Sequence, residues 1–124
     1  MKKVLCLIMV VACLFLTGCG KKQTIEEITG VSLNQIDHIK YGGTTTHDND
    51  YTDVQGFIDS NKNNKYKKVS GSYGSTTHRY FICYNSKDEV ILTLVDVGNS
   101  GYVFIKAGEF NINKDASSSL YQLQ

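Results

Sequence analysis

Cys83 is the first residue to weigh for chemistry, because a thiolate is a strong nucleophile and His38, His47 and His78 could each act as its base. A reactive cysteine needs an electropositive, partly exposed setting that lowers its pKa, often a helix N-terminus. Cys83 lies instead between Ile82 and Tyr84 in an apolar, strand-forming run, where burial raises a thiol's pKa. The expectation is a buried structural thiol, with a small hydrolase using Cys83 and a histidine as the alternative.

The densest group of metal-ligand types is Thr46-His47-Asp48-Asn49-Asp50-Tyr51-Thr52-Asp53. A calcium-binding EF-hand loop needs Gly at its sixth position and Glu at its twelfth. Counted from Asp48, those places hold Asp53 and Asp59. A looser cation site on His47, Asp48 and Asp50 stays open, although Asp50 is already accounted for as a helix N-cap. Ser70-Gly71-Ser72-Tyr73-Gly74-Ser75 lacks the Gly-x-Ser-x-Gly spacing of a nucleophile elbow, and a strand follows it where a helix is required. No catalytic residue, metal or cofactor is therefore expected.

Two groups suit binding better. Lys62, Lys65, Lys67 and Lys68 surround Tyr66, and such a basic stretch can grip anionic headgroups or phosphate-rich polymers. Solvated lysines at a helix end, favoured by the helix dipole, are the simpler account of the same residues. Tyr80 and Tyr84 recur on one parity of a strand, and tyrosine offers a large contact area with a polar tip.

The elements that must position these residues follow from patterning. Thr24-Ile25-Glu26-Glu27 has capping-box form and predicts a short helical turn ending at Gly30. A first strand is expected over 36–41. Tyr51, Val54, Phe57 and Ile58 then lie at helical spacing, with Asp50 as the cap and Asn61, Asn63 and Asn64 as the stop. Strands are expected over 66–70, 79–85, 89–97, 102–107 and 109–113, with short turns that join antiparallel neighbours. The tail over 115–124 is expected to form a last helical turn or to fray. This order predicts an α+β domain, one main helix packed on a mostly antiparallel sheet, with a cystatin-like or similar helix-on-sheet shape.

In the strand over 89–97, Val90, Leu92 and Leu94 occupy one face, and Ile91, Val95 and Val97 the other. A single helix covers one side only. The second side must be closed by the N-terminal turn, the tail and loops, paired with a second copy, or left as a tyrosine-bearing surface.

The N-terminus bears on where this happens. Lys2 and Lys3 precede thirteen apolar residues, Val4 through Leu16, too few for the roughly 20 that span a bilayer. A basic start and an apolar run of this length have the form of a secretory signal. Leu16-Thr17-Gly18-Cys19 resembles the lipobox of bacterial lipoproteins. That resemblance covers the first nineteen residues and implies a diacylglyceryl group on Cys19 and cleavage after Gly18. Two acyl chains anchor a protein stably, so the resemblance implies a membrane partner through Cys19 and no spanning helix. Gly20 stands where an Asp would signal inner-membrane retention in Gram-negative cells, and a composition rich in Lys, Asn, Ile and Tyr favours a Gram-positive host, with an outward-facing, extracellular location.

On this reading residues 1–18 are a signal peptide, 19–23 a lipidated tether reaching about 14 Å, and 24–124 a single domain close to the membrane. Losing Lys2 and Lys3 takes thirteen basic residues to eleven against twelve acidic ones. A charge near −1 gives no electrostatic reason to expect nucleic acid. Cys6 and Cys13 leave with the signal and Cys19 is lipidated, so Cys83 has no disulfide partner within the chain. The functional expectation is a non-catalytic cell-envelope binding module for a protein or peptide. Self-association and anionic-polymer binding through Lys62, Lys65, Lys67 and Lys68 are its variants.

Overall fold

The computed structural model describes residues 21–70, 78–98 and 100–124. Eight strands form one antiparallel sheet: β1 (Lys22–Gln23), β2 (His38–Gly42), β3 (Asn49–Tyr51), β4 (Tyr66–Lys68), β5 (His78–Tyr84), β6 (Val90–Val97), β7 (Tyr102–Ala107) and β8 (Leu120–Leu123). Their spatial order is β1-β4-β8-β7-β6-β5-β2-β3. The α+β class therefore holds, with the sheet as the dominant element. The turn expected over 71–75 lies outside the described residues.

Two chain segments cross the sheet from edge to edge. The first leaves β1, forms helix α1 (Ile25–Thr29) and a 3-10 turn at Leu33–Gln35, and enters β2 near the far edge. Its local signals are as expected. Thr24 accepts a hydrogen bond from the Glu27 amide, Glu27 accepts from the Thr24 amide at 2.9 Å, and Gly30 closes the helix at φ +72°. The second segment leaves β3, forms helix α2 (Val54–Asn61) and returns to β4. Its cap differs from expectation. Asp53, not Asp50, accepts from the Gly56 amide at 3.0 Å, because Asp50 is drawn into β3 opposite Lys40.

Both crossings bury their apolar residues on the same face. Ile25, Leu33, Phe57 and Ile58 pack there with Ile39, Cys83, Leu92, Leu94, Val103, Ile105 and Tyr121 from the sheet. Fully burying an Ile, Leu or Val stabilises by roughly 1.5–3 kcal/mol, so this face carries the largest share of the packing.

The opposite face is also covered, by a loop connection rather than by the N-terminal turn or the tail. Tyr80, Val95, Val97, Phe104 and Leu120 form a second cluster, with Phe110 and Ala116 packed against it. The cover is the β7–β8 connection. The N-terminal turn lies on the first face, and the tail is no cover at all. Leu120–Leu123 is an interior strand between β4 and β7, so the helical or frayed tail is corrected. The strand expected over 109–113 is corrected too. After Gly108 the chain leaves the sheet and forms helix α3 (Ile112–Asp115) and a 3-10 turn at Ala116–Ser118. Asn111 directs that change by accepting from the Asn113 amide at 2.9 Å, while Asp115 accepts from the Asn111 amide.

Lys22 and Gln23 pair with Lys67 and Tyr66 and form the edge strand of the sheet. Among the described residues no helix is long and apolar enough to cross a membrane.

Candidate functional site

A cleft of about 390 Å³ opens on the second face, between the sheet and the β7–β8 connection. Tyr80, Ile82 and Tyr84 of β5 with Val90 and Thr93 of β6 form its floor. Phe110 and Ile112 stand on the rim, and His47 closes one wall. This volume lies at the low end of ligand-binding pockets, and the lining is more polar than the mainly apolar lining usual for them.

The floor depends on an irregularity in β6. Cys83 pairs with Leu92 but Tyr84 pairs with Val90, so Ile91 has no partner across β5 and the register shifts. The extra residue turns Ile91 toward the first core and Val90 toward the cleft. The expected parity, with Val90 beside Leu92, is corrected by this bulge. Regular alternation predicts faces only while the ladder is unbroken.

The rim is fastened at both ends. Buried Thr93 donates its hydroxyl to the Gly108 carbonyl at 2.8 Å, and the Gly108 amide donates to Ile91. At the other end Asp115 pairs with Lys106 of β7 at 3.7 Å. His47 is held as firmly. Its ring stacks on Tyr80 with centroids 4.8 Å apart, and its Nδ1 donates to the Gly43 carbonyl at 3.1 Å. In the neutral ring that leaves Nε2 as the acceptor. The Gly43 amide in turn donates to Thr46, and a Cβ on Gly42 would collide with the Thr46 carbonyl and the His47 backbone. Gly42 thus permits the close turn that brings His47 over the sheet.

The two tyrosines occupy different settings. Tyr80 is 7% exposed, part of the second core, and burial pushes its hydroxyl pKa up. Tyr84 is half-buried and stacks on His38 at 4.8 Å with the rings 2° from parallel. Of the apolar lining Ile112 is exposed, and Ile82, Tyr84, Val90 and Phe110 are half-buried. Glu109, Asn111 and Asn113, all exposed, supply the polar edge.

Of the remaining candidates only His47 borders the cleft. Cys83 is fully buried in the first core, and burial pushes its thiol up to about 12. The cation group is dispersed. Asp50 lies 2.6 Å from Lys40 Nζ, the Asp53 side chain caps α2, and His47 faces Tyr80. Of the lysines, Lys62 pairs with Asp59 at 3.6 Å and Lys65 with Glu27 at 3.7 Å, while Lys67 and Lys68 lie in β4 beside the sheet edge.

Phe110, Asn111, Ile112 and Asn113 were missed as site residues because 109–113 reads as a strand. Asn111 ahead of Ile112-Asn113-Lys114-Asp115 is the signal that could have found them, as a helix N-cap. Compared with known proteins, the chain matches no family model, no curated protein and no solved structure.

Proposed function

We propose that this chain is a membrane-anchored cell-envelope lipoprotein, held by a diacylglyceryl group on Cys19, that acts as a non-catalytic binding module for a protein or peptide. The observation that carries the binding reading is the cleft. An open floor of Tyr84, Ile82 and Val90 faces the Ile112 and Phe110 rim, with amide side chains at its edge. A short peptide has the matching chemistry, with an apolar or aromatic side chain to fill the floor and a backbone for Asn111 and Asn113 to hydrogen-bond. The helix-on-sheet arrangement, with Val54–Asn61 as its main helix, backs the sheet on the face opposite the cleft.

The anchor reading rests on Leu16-Thr17-Gly18-Cys19. The hydrolase alternative is weakened by the setting of Cys83, whose buried, protonated thiol has no route to a substrate.

A random-peptide display selection against residues 20–124 tests the binding reading. Selected peptides should lose at least tenfold in affinity against Ile112→Asp, which places a charge on the exposed rim. Equal affinity for both proteins would remove the cleft as the site. The anchor is tested separately in cells, where Cys19→Ala should move the protein from the membrane fraction to the soluble one.

A further inference from the structure

The outer edge of the sheet, at β1 and β4, carries lysines in an arrangement that sequence order conceals. Lys22 and Lys67 are directly opposite each other in the β1–β4 ladder. Side chains so placed have Cβ atoms about 5 Å apart, and like charges there repel. Lys67 is opposite Gln122, and Gln122 opposite Tyr102, so Lys22, Lys67, Gln122 and Tyr102 form one row across four strands. Lys21 and Lys68 flank the row and are exposed. Among the described residues, Lys22, Lys67 and Lys68 take part in none of the ion pairs, whereas Lys62 and Lys65 do. Two cations held side by side without a counter-charge suit an external anion.

Chain length says which anion lies within reach. Only Gly20 and Lys21 separate Cys19 from Lys22, at most about 10 Å of extended chain. That is close to one Debye length at physiological salt, so charges on this edge act on a surface to which Cys19 is fixed. We propose that the β1–β4 edge, through Lys21, Lys22, Lys67 and Lys68, docks on anionic lipid headgroups and stands the sheet on the membrane. This rests on the anchor proposed at Cys19.

The orientation has a consequence for the cleft. Its floor lies on β6 and β5, four and five strands from β1 in the sheet order. At about 4.8 Å per strand that is roughly 19–24 Å. Docking by the lysine edge therefore holds the cleft well clear of the headgroups, open to a partner arriving from outside.

The test couples residues 19–124, which contain every strand of the sheet, through Cys19 to maleimide-lipid in vesicles. Cys83 is buried and stays unmodified. One vesicle set is neutral phosphatidylcholine and the other contains phosphatidylglycerol. Lysine acetylation is followed by mass spectrometry, with Lys87 and Lys114 as exposed reference positions. On anionic vesicles Lys22 and Lys67 should acetylate roughly fivefold more slowly than on neutral ones. That protection should vanish at high salt, and Lys68 should lose it in Lys22→Gln/Lys67→Gln. Equal rates on the two vesicles would overturn the proposal, as would protection centred on Lys87 or Lys114. Because the coupling is chemical, such a failure leaves the anchor reading untouched, and that reading fails separately if Cys19→Ala stays with the membrane.

Discussion

His47 lies flat on Tyr80, ring centroids 4.8 Å apart and planes 15° from parallel, and on this stack one wall of the cleft is built. The contact joins a loop residue to a core residue, so the loop's shape and the core's integrity are coupled. Gly42→Ala should break the coupling from the loop side, since its Cβ meets backbone, costing about 1–3 kcal/mol. His47→Ala removes the stacked pair and the exposed hydrogen bond to the Gly43 carbonyl, and should cost about 1–2 kcal/mol. Urea melts of the two variants give the comparison, and a harmless Gly42→Ala would contradict the close turn.

Tyr80 and Tyr84 should separate stability from recognition. Tyr80 is a core residue, so Tyr80→Ala should destabilise by about 3–5 kcal/mol. Tyr84→Ala loses a half-exposed ring stacked on His38 and should cost under about 1.5 kcal/mol, while still weakening any peptide held by the cleft. Equal stability losses would mean that the two rings share one environment.

The helix α2 cap is assigned to Asp53. Asp53→Ala should cost about 1 kcal/mol, the usual loss for a capping side chain. Asp50→Ala removes only an exposed pair with Lys40 and should be the milder change at moderate salt. Thermal melts of both variants reversing that order would return the cap to Asp50.

Cys83 should label with thiol reagents only after denaturation. It also predicts an alkaline effect. The folded thiol keeps its proton up to about 12, whereas an exposed one releases it near 9. Between those values the folded state binds more protons, so its stability falls as pH rises, by about 1.4 kcal/mol per pH unit from this group. Below pH 9 the group contributes no slope. Denaturant melts from pH 8 to 11 should show a shallower decline for Cys83→Ala than for the parent chain. Identical slopes would place Cys83 in contact with solvent.

The legible parts of this fold were those set by local chemistry. Thr24, Glu27 and Gly30 bound a helical turn through contacts within seven residues, and strands β5 to β7 follow from β-branched and aromatic runs. The errors arose where distant partners decide. Leu120-Tyr121-Gln122-Leu123 becomes a strand because β4 and β7 leave a gap for it, which no local pattern announces. Asp50 reads as a cap until Lys40 is seen opposite it. Both faces of β6 were recognised as buried, but Val90 changed sides at the Ile91 bulge. Tyr80 and Tyr84 are legible as a pair on one strand parity, whereas an apparent strand hides the Phe110–Ile112 rim.

Binding in the proposed cleft is read by titrating a display-selected peptide into ¹⁵N-labelled residues 20–124 and following the backbone amides by NMR. Shifts confined to His47, Tyr84, Val90, Thr93 and Glu109 to Asn113 are predicted, with Lys22 and Lys67 unmoved. Shifts that instead trace the β3 edge at Asn49 to Tyr51, or the lysine edge, would contradict it and place recognition on another surface.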